Sequence, residues 1–260
     1  MMLLARRMKL GVLPMARAMS LLKVPRVHVL CMHHVFDDEI AAFDELLDTL
    51  VRDHDLLTVS AAFDRLNTGS PLSRPIACIT FDDGFAHHVA VAAAIRKRGG
   101  SATFFQCTGT LDASESERDE FCMRFLRRPP IEMLGWRQLE ALANDGHEIG
   151  CHTATHRILS EVPVAELRSE INDAAAAMRS RIGPIRSFAW PFGRPQHWST
   201  AAERHATEAG FDFLLSATPG CHTKPVRGMT APIHRLAVEP MAGVANILKL
   251  MALDVSQLPG

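Results

Sequence analysis

From Val27 onward the chain alternates short apolar runs with amphipathic stretches. Residues 27–32 and 76–81 are nearly unbroken apolar runs of strand length, which predicts strands buried on both faces. Between residues 38 and 51, Ile40, Phe43, Leu46, Leu47, Leu50 and Val51 recur on one helical face. A short strand is expected at 57–59, with Ser60 positioned to cap a helix running to Leu66. Residues 67–75 carry the Gly and Pro of a loop. A helix near 86–98 stops at Gly99-Gly100, and residues 102–106 form the next strand. Residues 111–130 are highly charged and close on Pro129-Pro130, an excursion rather than a core element. A helix over 136–144 and a strand over 147–151 follow. Pro163 opens a long helix whose core stripe is Val164, Leu167, Ile171, Ala174, Met178 and Ile182. Late strands are expected at 185–190, 213–216 and 235–238. Strands that alternate with helices imply an α/β fold with a mainly parallel sheet.

Charge changes the picture only at the N-terminus. Residues 1–36 hold Arg6, Arg7, Lys9, Arg17, Lys23 and Arg26 and no acid before Asp37. No apolar run there approaches the roughly 20 residues of a membrane span, and Pro14 and the basic residues interrupt any secretory core. Residues 1–26 therefore read as a basic amphipathic extension, suited to an anionic lipid surface, before one domain over 27–260. Six scattered cysteines without a Cys-x-x-Cys pair are expected as free buried thiols of a reducing compartment. The expected location is cytoplasmic, with the extension available for the inner membrane surface. With a net charge of −1 and no reader motif, nucleic acid is not an expected partner.

The chemistry-bearing residues fall at predicted strand ends. Asp82-Asp83-Gly84 follows the strand at 76–81. Adjacent buried carboxylates are costly unless a cation holds them. His152 and His156 follow the strand at 147–151, and imidazoles four residues apart meet one ion if the stretch is a helical turn. One carboxylate and two imidazoles leave coordination positions open, the mark of a catalytic metal site. Such donors suit zinc first, and cobalt, nickel, manganese or iron(II) as well. His33-His34 and 191–193 also end strands, as in barrels that collect their chemistry at one face.

Three segments carry a family resemblance. Thr80-Phe81-Asp82-Asp83-Gly84, Gly146–His156 and Ala189-Trp190-Pro191-Phe192-Gly193 resemble, in order, three signatures of the NodB-homology polysaccharide deacetylases. The resemblance implies a distorted, seven-stranded (β/α) barrel and metal-dependent removal of an acetyl group from an N-acetylated sugar. The substrate would be an N-acetylglucosamine-type polysaccharide or a lipid-linked precursor. Asp83, His152 and His156 would be the metal ligands and Asp82 the general base. The backbone N–H of Phe192 would face the oxyanion, and Trp190, Pro191, Phe192, Gly193 and His33 would border the sugar. His234 is the candidate acid for the leaving amine. The chain departs from many members at Ala189, where an Arg usually steers the base. That departure keeps open a glycan-binding homologue without turnover.

Overall fold

The computed structural model describes residues 14–226 and 231–255. A nine-stranded sheet runs in the order β7-β6-β5-β4-β3-β1-β8, with two short strands, β2 and β9, beside β3 and β1. The strands are β1 (Val27–Met32), β2 (Asp55–Leu56), β3 (Ile76–Phe81), β4 (Thr103–Gln106) and β5 (Glu148–Cys151). They continue with β6 (Ser187–Ala189), β7 (Phe213–Leu215), β8 (Cys221–His222) and β9 (Leu236–Ala237). All pairings are parallel except β1 with β8. The segment from Ile233 to β9 closes the curl. Ile233 pairs with Leu215 of β7, and Leu236 pairs with Leu30 of β1. The fold is thus the distorted, seven-stranded α/β barrel expected from the sequence, with two short additional strands.

Strand alternation divides the apolar residues between two layers. Leu30, Met32, Ile79, Phe81, Phe104 and Ile149 face outward. They pack beneath helices that include α2 (Ile40–Asp53), α4 (His88–Lys97), α6 (Trp136–Asn144), α7 (Ala174–Ile182) and α8 (Thr200–Glu208). Val27, Val29, Ile76, Cys78, Phe105, Leu215 and Ile233 face inward and are joined by Phe63 and Leu66 of α3 (Val59–Asn67). Further up β3 the inward positions turn polar at Thr80, and Asp82 follows beyond the strand. One end of the barrel is therefore sealed by hydrocarbon, and the C-terminal end carries the chemistry.

Local details correct the sequence reading at several points. The helix after β2 starts at Val59, capped by Thr58, whose hydroxyl accepts from Ala61 N–H. Ser60 lies inside that helix and donates to Glu148 instead. The long helix expected from Pro163 is broken. A 3-10 turn over Val164–Glu166 and a π turn over Ser169–Asp173 precede α7. The excursion is ordered: a capping box between Ser114 and Glu117 starts α5 (Glu115–Phe121), and Phe121 and Cys122 pack with Phe85 and Met133. All six cysteines are buried, and Cys221 Sγ accepts from Arg26 Nη1.

Of the N-terminal segment, residues 1–13 lie outside the described residues. Residues Met15–Leu22 form α1, whose Ala18 and Leu22 are buried in the main core with Ile247 and Met251 of α9 (Val244–Val255). No helix among the described residues is long and apolar enough to cross a membrane.

Candidate metal centre and catalytic pocket

Strand ends deliver the acidic and imidazole side chains. Asp82 N–H donates to Met32 O, extending the β1–β3 ladder by one step before Asp83 turns to a φ of 76°. Gly84, at φ 88°, leaves the turn, and a Cβ there would lie 2.2 Å from Gln106 Oε1. His152 N–H donates to Gln106 O, carrying β5 one residue past its end. Residues 152–156 are not the helical turn expected from their spacing. They form an irregular loop with φ 71° at Thr153 and 58° at His156. Glu170 holds that loop: its carboxylate accepts from Thr155 N–H and from the Thr155 hydroxyl, and its carbonyl from Ala154 N–H. The π turn at 169–173 brings Glu170 to this position. Sequence reasoning missed Glu170, because a glutamate on a helix gives no sign of what it faces.

The donors converge. Asp83 Oδ1 lies 3.3 Å from His156 Nε2 and 3.6 Å from His152 Nε2. Ligand atoms bound tetrahedrally at about 2.0–2.2 Å sit roughly 3.3–3.6 Å apart, so this spacing suits an ion between them. Asp83 Oδ1 is buried and accepts no hydrogen bond, an orphan that a cation would satisfy. His152 Nδ1 lies 2.7 Å from Ala189 O. Donation to that carbonyl fixes the tautomer and leaves Nε2 with a free lone pair. Burial pulls the His152 pKa down to about 4, so the ring stays neutral as a ligand must. Burial acts the other way on Asp83, but the neighbouring imidazoles, His156 foremost and also His33 and His152, together outweigh it and hold the carboxyl well below its usual range.

Arg235 holds Asp82. The guanidinium donates to Asp82 Oδ1 at 2.7 Å and to Oδ2 at 2.9 Å, a two-pronged pair. It also donates to Thr80 Oγ1 and Ser216 O and lies over the Phe105 ring. Side-chain exposures of 1% and 4% make this a fully interior ion pair. Burial favours the neutral Asp82, yet Arg235 opposes it strongly enough to hold the carboxyl at about 2. Arg235 thus fixes the orientation of the Asp82 carboxylate. Ala189 itself is wholly buried in the inner layer.

The remaining candidates separate. A cavity of about 430 Å³ is bordered by Asp82, Asp83, His152, His156, His33 and Arg235, and also by Phe192 and Gly193. Phe192 is 38% exposed, at φ 61°, and its N–H makes no hydrogen bond among the described residues. Gly193 cannot carry a side chain, since a Cβ would fall 2.4 Å from Ala217 N. Pro191 is buried and does not border the cavity. Trp190, expected beside the sugar, is instead a core residue, 2% exposed, donating from Nε1 to Arg194 O and packing on Trp198. His234 is likewise not brought to the pocket. Arg235 points inward, so alternation sends its neighbour outward, where the His234 ring meets His222. A ring nitrogen of His33, by contrast, lies within 4.8 Å of an Asp82 oxygen and of Cys31 Sγ.

Of the five non-glycine residues with positive φ among the described residues, Asp83, His156 and Phe192 border this pocket, Thr153 follows His152, and Arg127 precedes Arg128, which borders it. Such conformations persist only where the surroundings enforce them, and they gather at functional sites.

A family profile described as "Polysaccharide deacetylase" matches residues 69–214, more than half of the chain. The protein belongs to the polysaccharide deacetylase family, whose chemistry is glycan deacetylation and whose members generally use a divalent metal. No curated protein matches the chain. Among solved structures it is similar to IcaB from Ammonifex degensii, at 20% identity and a TM-score of 0.69, covering 88% of this chain and 98% of that one. It is also similar to the Streptococcus pyogenes deacetylase PplD in complex with acetate, at 17% identity and 0.67, with the same coverages. A de-N-acetylase from Aggregatibacter actinomycetemcomitans matches at 16% identity and 0.68, covering 86% and 99%. At these identities the likeness establishes the shared fold.

Proposed function

We propose that the protein is a metal-dependent deacetylase that hydrolyses the N-acetyl group of an N-acetylated sugar and releases acetate. The carrying observation is one pocket in which Asp83, His152 and His156 converge beside an Asp82 clamped by Arg235. Family membership supports the reaction, and the name of the de-N-acetylase neighbour supports the N-acyl bond over the O-acyl one. A divalent cation held by the three ligands, zinc by preference, would lower the pKa of water and polarise the acyl carbonyl. Asp82, ionised and fixed by Arg235, accepts the proton of the attacking water. The free N–H of Phe192 donates to the oxygen that gains negative charge. The C–N bond then breaks, and the amine takes a proton. His33 is better suited to donate it than His234, because its ring borders the same cavity as Asp82.

Two other readings lose support. A non-catalytic glycan binder is suggested by Ala189 and by the uncertain acid; Arg235 on Asp82 and His33 at the cavity weigh against it. Membrane association through the N-terminal segment now rests on residues 1–13, since the buried positions of α1 are taken by the protein's own core.

The test is acetate release from N-acetylglucosamine oligomers, with an O-acetylated sugar alongside, by protein stripped of metal and then reloaded with zinc or cobalt. Metal-dependent acetate is expected, abolished by Asp82→Asn while bound metal remains at one equivalent. Metal bound at full stoichiometry with no acetate from these oligomers would leave two readings, a different substrate such as a lipid-linked sugar or a binding protein without turnover.

A further inference from the structure

A second cavity, of about 210 Å³, opens beside the first, and the two share His156 and Phe192. Arg124, Arg127 and Arg157 border it, against the single carboxylate of Glu161. Arg124 and Arg157 have acidic partners outside its wall, Glu120 and Glu166. Arg127 has no carboxylate partner among the described residues, and its guanidinium lies over the Phe192 ring at 5.8 Å. The next residue, Arg128, borders the main cavity instead. Its Nη1 is buried without a hydrogen-bond partner, and its guanidinium sits 5.0 Å from the Phe85 ring centroid. Glu39 and Glu239, which also border that cavity, form no ion pair with it. Arg127, at φ 56°, caps the turn over Cys122–Leu126 in the left-handed conformation, and the two consecutive arginines border two adjoining cavities. A buried cationic donor without an acceptor is costly. That cost makes sense if an anion from outside completes the pair.

We infer that Arg127 and Arg128 form an anion subsite flanking the acyl pocket, and that the substrate carries a phosphate next to its N-acetylated sugar. This rests on the deacetylase reading and narrows its substrate class. Phosphate suits two planar guanidiniums approaching from adjoining walls, because its oxygens accept from several directions at once. A sugar 1-phosphate and a sugar joined to a carrier through a diphosphate both present that chemistry. A neutral polymer of N-acetylglucosamine does not.

Calorimetry on the zinc-loaded protein would compare N-acetylglucosamine 1-phosphate, UDP-N-acetylglucosamine and the neutral N-acetylglucosamine trimer. The phosphorylated sugars should bind at least about tenfold tighter than the trimer, with a preference that shrinks as salt rises. Tighter binding of the monophosphate would favour a free sugar phosphate, and of the diphosphate a carrier-linked sugar; either supports the inference. In Arg127→Gln/Arg128→Gln the preference should fall about tenfold, and Arg127→Gln alone provides a milder variant should the double one not fold. Equal affinities in the wild type would overturn the inference. A preference unchanged in both variants would also overturn it, since phosphate would then be held at the metal alone. Acetate release measured in parallel separates the two claims. Arginine-dependent phosphate preference without acetate keeps the subsite and removes the deacetylase. Acetate from the neutral trimer without any preference does the reverse.

Discussion

Replacing Arg235 should damage both the stability of this barrel and its chemistry, for one electrostatic reason. In Arg235→Met the Asp82 carboxylate, 4% exposed, loses both N–H···O bonds, at 2.7 and 2.9 Å, and its only arginine partner among the described residues. Breaking a buried pair from one side costs about 3–5 kcal/mol. At about 2–4 °C per kcal/mol for a chain of this size, the melting temperature should drop by about 6–20 °C. Some of that loss comes from Thr80 Oγ1, Ser216 O and the Phe105 ring, which Arg235 also contacts. A double-mutant cycle with Asp82→Asn removes those contributions, because they are lost equally in both backgrounds. Denaturant melts of the four proteins should give a coupling of at least about 2 kcal/mol. Arg235→Lys keeps the charge and loses the two-pronged geometry, so it should fall between. In the folded variants kcat should fall roughly 100-fold or more as the base loses its orientation. A coupling below about 0.5 kcal/mol, or an Arg235→Met enzyme with unchanged kcat, would refute the assignment of Arg235 as the holder of Asp82.

Acid should unfold the protein from the opposite end of the barrel. Burial lowers the pKa of His28 to about 3, and of His54 and His222 to about 4. Between about pH 6.5 and pH 4 the unfolded chain binds protons that these folded rings refuse, so stability falls as pH falls. At pH 5 each ring contributes a loss of up to about 2 kcal/mol. A denaturation midpoint that does not move between pH 7 and pH 5 would contradict this. For proton donation to the amine, His33→Gln should lower kcat at least about 100-fold. His234→Gln should change kcat by no more than a few-fold; the reverse ranking would reinstate His234.

The repeating pattern of apolar runs and amphipathic stretches determined the alternation of strands and helices, because burial on one or two faces imposes the period on local sequence. Hence β1 and β3 were legible to the residue, and Asp82, Asp83, His152 and His156 were legible as strand-end donors. What the chain could not declare locally were partners far apart in sequence. Arg235 and Asp82 are separated by 153 residues and meet only because the Ile233–Leu236 segment closes the sheet between β7 and β1. The same closure turns His234 outward, a one-residue question of register that alternation decides and composition does not. Glu170 reaches the 152–156 loop through a π turn that leaves no clear trace in a helical stripe. Trp190 sits among strand-end residues, and only its packing on Trp198 takes it from the sugar and gives it to the core. The sequence thus determined the main strands and the placing of acids and imidazoles at their ends, whose causes are local. Tertiary structure decided which charges are paired, which imidazole faces the pocket and where the arginines of the excursion point, because those depend on how the sheet closes.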